Sequence, residues 1–95
     1  MIFERQNHSE GIQVRFREGD LWLTQKAMAE LYNCSSDNIG LHLKNIYNDM
    51  ELDKDSTTED FSVVRKEGNR EVNRKLKYYN LDAVISVGYR VNSDR

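Results

Sequence analysis

Arg65, Lys66, Arg70, Arg74, Lys75 and Lys77 fall within residues 65–77 against only Glu67 and Glu71, six bases to two acids, a net of +4. Cations packed this closely neutralise phosphates, even in a chain whose total charge is negative. A second set, Ser36, Asn38, Lys44 and Asn45, carries the hydroxyl, amide and ammonium groups that meet base edges, with Asn38 suited to adenine. Leu41 stands among them and fits either a thymine methyl or a contact between subunits. The chemistry implied is non-covalent recognition of double-stranded DNA. Arg65, Lys66, Arg70, Lys75 and Lys77 would anchor phosphates, and Ser36, Asn38, Lys44 and Asn45 would read bases. The plainer alternative is a solvated basic hairpin beside an ordinary helix surface.

Nothing else in the chain groups into catalytic or metal-binding machinery. Cys34 is the lone cysteine, which excludes an internal disulfide and a cysteine-based zinc site, and it has no evident base to activate it. His42 borders an apolar helix face and reads as structural, and His8 falls in a loop. No glycine loop for phosphates occurs. The close carboxylates lie in residues 49–60, where six acids oppose Lys54 alone for a net of −5, a run expected to face away from the basic strip. The expectation is a protein that is not an enzyme, with no cofactor and no metal. No apolar run approaches the ~20 residues that span a bilayer, and Glu4, Arg5 and Gln6 interrupt any signal peptide. The chain is therefore expected in the cytoplasm, away from membrane.

The elements that must position these groups centre on Trp22 to Met50. A first helix starts after Thr24, whose hydroxyl caps it, and Asn33 ends it in the left-handed conformation. Ser35 or Ser36 caps a second helix, in which Ile39, Leu43, Ile46, Tyr47 and Met50 recur on one face. Ala29 permits a close crossing, and Cys34 plugs the turn. Asp37, Leu41, Lys44 and Asn48 occupy the opposite face, flanked by Ser36, Asn38 and Asn45. This is the pattern of a helix-turn-helix, although it also fits a pair of helices used only for packing.

Hairpins flank the pair. Met1 to Phe3 suits a short edge strand; Ile12, Val14 and Phe16 alternate with polar residues, Glu18-Gly19-Asp20 turns, and Leu21 to Leu23 returns with Trp22 as the main core anchor. After a polar connection at 51–60, with at most one helical turn around Thr58, Phe61 to Val64 and Glu71 to Tyr79 form a second hairpin across Glu67-Gly68-Asn69-Arg70. Its outer surface is expected to carry Asn73, Lys75, Lys77 and Tyr79, and its apolar side Val72, Leu76 and Tyr78. Asn80 caps a last helix from Leu81.

The segments WLTQ, MAELY, NIGLHLKNIY, ELDKDS and YYNLDAVISVGYRVNS together resemble the RhuM-type virulence-protein family, a bacterial group often carried near mobile elements. The resemblance runs from Ile12 onward, and the start is similar to the Bro-type N-terminal modules of viruses and phages that bind DNA. By position, Ser36, Asn38, His42, Lys44 and Asn45 match the family's second-helix motif, and Asn92 and Ser93 its terminal one. Gly40 and Asp37 depart from it. Family members are usually longer, which implies that residues 1–95 are one domain of a larger protein.

The resulting expectation is an α+β, winged-helix-like helix-turn-helix with two β-hairpins, whose core joins Trp22, Met28, Leu31, Ile39, Leu43, Ile46 and Ile85. Its function would be binding of double-stranded DNA, as a homodimer when it reads a site. The alternative is a protein-interaction or dimerisation module that uses the second helix without DNA.

Overall fold

The computed structural model describes residues 12 and 14–93. The Met1–Phe3 strand and the His8 loop lie outside the described residues. Four helices and four antiparallel strands make an α+β fold in the order β1 (Arg15–Arg17), β2 (Asp20–Thr24), α1 (Gln25–Tyr32), α2 (Ser36–Asn48), α3 (Lys54–Thr57), β3 (Thr58–Glu67), β4 (Arg70–Asn80) and α4 (Leu81–Ser93).

Side-chain caps set the helix ends. Thr24 Oγ1 accepts from Ala27 N at 3.0 Å and starts α1. Asn33 ends that helix at φ 55°, its amide closing on the carbonyls of the last turn. Ser35 caps α2 by accepting from Asn38 N at 3.0 Å. Asn80 Oδ1 accepts from Ala83 N at 3.2 Å and starts α4 despite the β-branched run that follows. Both hairpins use two-residue turns, Glu18-Gly19 and Gly68-Asn69; φ is 53° at Glu18 and 79° at Gly19, the left-handed pair that fits the twist of the strands.

The hairpins are not separate. Trp22, Leu23 and Thr24 pair with Asn80, Tyr79 and Tyr78, joining them into one sheet of order β1-β2-β4-β3. Alternate residues of a strand face opposite sides. Leu23 and Tyr79 are buried against the helices, so they define an inner face. They pack with Ala27, Met28 and Ala29 of α1, Ile39, Leu43 and Ile46 of α2, and Ala83, Val84, Val87 and Val91 of α4.

Three of the seven expected core residues are placed elsewhere. Trp22 is one step from Leu23 and so lies on the outer face, edge-on to Phe61 with ring centroids 6.1 Å apart. Phe61 in turn meets Tyr78 at 4.9 Å, while the Arg15 and Arg17 guanidinium groups lie 4.7 and 5.1 Å from its centroid. Leu31 is 44% exposed because α1 buries the stretch Ala27–Ala29, and Ile85 is 46% exposed because α4 turns Val84, Val87, Gly88 and Val91 inward. Met50, given to the apolar face of α2, sits beyond its end at φ 57° and is 86% exposed. Thr58 is not helical; it opens β3.

The acidic run does not turn away from the bases. Arg90 Nη2 reaches Asp49 at 3.1 Å and Glu51 at 2.8 Å, pinning α4 to the end of α2. Arg17 meets Glu59 at 3.4 Å, and Lys77 meets Asp60 at 3.8 Å. A second joint lies between α1 and α4: Tyr32 Oη donates to the Val84 carbonyl at 2.7 Å, and a Cβ on Gly88 would come within 2.6 Å of that hydroxyl. Among the described residues no helix is long and apolar enough to cross a membrane.

Candidate nucleic-acid interface

The apolar stripe of α2 packs into the core against α1 and α4, and its other side is open. Asp37, Leu41, Lys44 and Asn48 are exposed, with Leu41 at 54%, and Asn38 and Asn45 are half-buried beside them. Ser36 is exposed but engaged. Gln25 Nε2 donates to its carbonyl at 2.7 Å and to its hydroxyl at 3.3 Å, tying the start of α1 to the first turn of α2. Gly40 lies under the same side chain, 2.8 Å from Gln25 Nε2 to where a Cβ would stand. A serine there would push the glutamine amide aside, at small cost because the amide ends a flexible chain. Asp37 sits in the first turn, where the exposed helix amides favour a carboxylate.

The basic hairpin divides by face. Pairing of Asp60 with Lys77, Ser62 with Lys75 and Lys66 with Glu71 places those residues on the side of Tyr79. Pairing of Arg65 with Val72, Val63 with Arg74 and Glu67 with Arg70 places the arginines on the side of Tyr78 and Phe61. The lysines thus look the same way as the helices, and the arginines the other way. The sequence grouped Tyr79 with Lys75 and Lys77 on the hairpin's outer surface; the grouping holds, but the face is the inner one, on the side of the helices, and Tyr79 is buried at its base.

Only the end of β4 pairs with β2. Among the described residues, 70–77 have β3 as their sole strand neighbour, and the hairpin runs on past the helices. Eight residues at ~3.4 Å each give a ribbon of roughly 27 Å, in keeping with the 42 Å long axis of the molecule. Arg74 stiffens it: Nε and Nη2 bind Glu67 at 3.1 and 2.8 Å, which holds the Glu67 carboxyl below its ordinary range. Lys66, Arg70 and Lys75 make no ion pair among the described residues.

Where the ribbon leaves the helices, Gln25, Gly40, Lys44, Tyr47, Asn48, Lys54 and Tyr79 line an open depression of about 250 Å³. It joins the exposed side of α2 to the lysine side of the hairpin. Asn48 was expected on the outward face of the second helix, whereas Gln25 and Lys54 were not assigned a role from sequence; the only usable hint for them was Lys54, the one base in the acidic run. Cys34 is half-buried at the turn and packs on the core, and His42 is 5% exposed on the inner side of α2.

Residues 56–95 match the Virulence protein RhuM family. Over this segment the chain is similar to RhuM-type proteins. The match takes in β3, β4 and α4, with the motif YYNLDAVISVGYRVNS, and leaves the α1–α2 pair outside it. The matched segment therefore contains the whole basic hairpin. No curated protein and no solved structure matches the chain.

Proposed function

We propose that this chain is a non-catalytic DNA-binding module of a virulence-associated protein, working as a winged helix with α2 against base edges and the β3–β4 hairpin against phosphates. One observation carries the reading: Lys66, Lys75 and Lys77 project on the same side of the sheet as the helices, towards which Lys44 on α2 is also open. A duplex lying across the depression at Lys44, Asn48 and Lys54 would meet both elements at once. Arg65 and Arg70, on the opposite face of a ribbon only two strands wide, fit the backbone on its other side. Lys77 is shared with Asp60 at 3.8 Å in an exposed pair, which phosphate would exchange at little cost.

Asn38→Ala provides the test of base reading. Asn38 is half-buried in the first turn of α2, and its amide can pair with an adenine edge. On a duplex selected from a random pool, its loss weakens binding by about 1 to 3 kcal/mol, and by much less on unselected duplexes. An equal loss on both would remove Asn38 from base reading. The second reading, a protein-interaction module, is favoured by the exposure of Leu41 in mid-helix. It takes over if the protein binds no duplex at moderate salt.

A further inference from the structure

β3 is the last strand of the sheet, ten residues long, and among the described residues no strand pairs with its far edge. In an antiparallel ladder every second residue sends its N–H and C=O away from the existing partner, so this edge offers a row of unused donors and acceptors. Natural edges of such length are usually shortened, bulged or studded with repelling charge. Here the register with β4 is unbroken from Thr58 to Glu67. Its charges are largely sorted: Glu59 and Asp60 near one end, Arg65 and Lys66 near the other, where the last residue, Glu67, is already held by Arg74. From Glu59 to Lys66 the strand has acids at its start and bases at its end, and so is complementary to its own reverse.

We propose that β3 pairs antiparallel with β3 of a second copy, centred on Ser62, making a continuous eight-stranded sheet. Two strands related in this way are exchanged by a two-fold axis perpendicular to the sheet, so directly opposed residues come from the same face. Centring on Ser62 sets Glu59 opposite Arg65 of the second copy and Phe61 opposite its Val63, each twice. All four lie on the outer face. Opposite charges and an aromatic ring against a β-branched residue are the favourable cross-strand combinations. Of the two neighbouring permitted registers, the one centred on Val63 would set Asp60 against Lys66 of the second copy but also Glu59 against its Glu67, and the one centred on Phe61 would bring no opposite charges together. The Ser62 register joins Glu59 to Arg65 twice with no like charges opposed, which selects it.

The perpendicular axis also keeps both inner faces on one side of the joined sheet. If the proposed DNA function holds, the two α2 helices therefore address one duplex. Pairing itself needs no DNA, and its test is made without any.

Glu59→Arg and Arg65→Glu each place like charges across the axis, while a mixture of the two variants restores both pairs in a heterodimer. By light scattering, the parent should have the mass of two chains, each single variant the mass of one, and the equimolar mixture the mass of two again. Glu71→Arg, a same-size charge change on β4, should stay dimeric. Both single variants lie on the exposed hairpin, and circular dichroism checks that they fold. A parent that remains monomeric up to millimolar concentration overturns the proposal, as do single variants that still dimerise or a mixture that does not. Failure of duplex binding with the masses as expected would strike the DNA reading and leave this one standing.

Discussion

Leu43 lies on the inner side of α2 at 4% exposure, in the core with Ile39 and Ile46. Leu43→Ala leaves a cavity in that core, and it should cost about 2 to 5 kcal/mol in urea unfolding. Ile85→Ala, a similar truncation on the 46% exposed side of α4, should cost far less. Equal losses would mean that the helix faces are misassigned. At this scale the caps were the most legible features, because Thr24, Ser35 and Asn80 accept from amides three residues on and the Asn33 amide donates to carbonyls three and four residues back. Trp22 was not. Alternation said that Trp22 and Leu23 face opposite ways, and only the packing of Leu23 beside Tyr79 decides which of them goes inside.

Three tyrosines sit at the joints between elements. Tyr32 binds α4 through the Val84 carbonyl, Tyr47 meets Thr57 of α3 at 2.8 Å, and Tyr79 closes the sheet against the helices. Burial raises the pKa of each above 10.0; at Tyr47 the Thr57 hydrogen bond offsets part of the rise, and at Tyr79 the charges of Tyr47 and Asp60 add to it. The unfolded chain thus releases these protons at a lower pH than the folded one. Their contribution to stability is complete below about pH 10 and is lost as pH rises through the folded values. Spectrophotometric titration at constant ionic strength should show phenolate appearing together with loss of helix above that pH. Tyrosines that all titrate at the ordinary value while the helices persist would contradict this account of the joints. The joints were hidden in the sequence, since Tyr32 and Gly88 are far apart in the chain and Gly88 gives no sign of the hydroxyl it makes room for. The β2–β4 seam was hidden for the same reason: it links a strand ahead of the helix pair to one well after it.

Across the whole molecule, the basic strip becomes a ribbon with lysines on the helix side and arginines on the other. Composition located the strip, and alternation grouped Lys75 with Lys77. The direction they face depends on Tyr79 being buried at the ribbon's base. That placement makes α2 and the hairpin two parts of one surface, which is the central claim. Its most direct test is the salt dependence of duplex affinity for the parent and for Lys75→Gln/Lys77→Gln, by fluorescence anisotropy on the same duplex. Each lysine seated on a phosphate displaces counterions, so the log–log slope should flatten by roughly 0.9 for every lysine made neutral, or about 1.8 for the pair. Affinity should fall alike on every sequence. An unchanged affinity and slope would contradict the claim that this face of the hairpin lies on DNA.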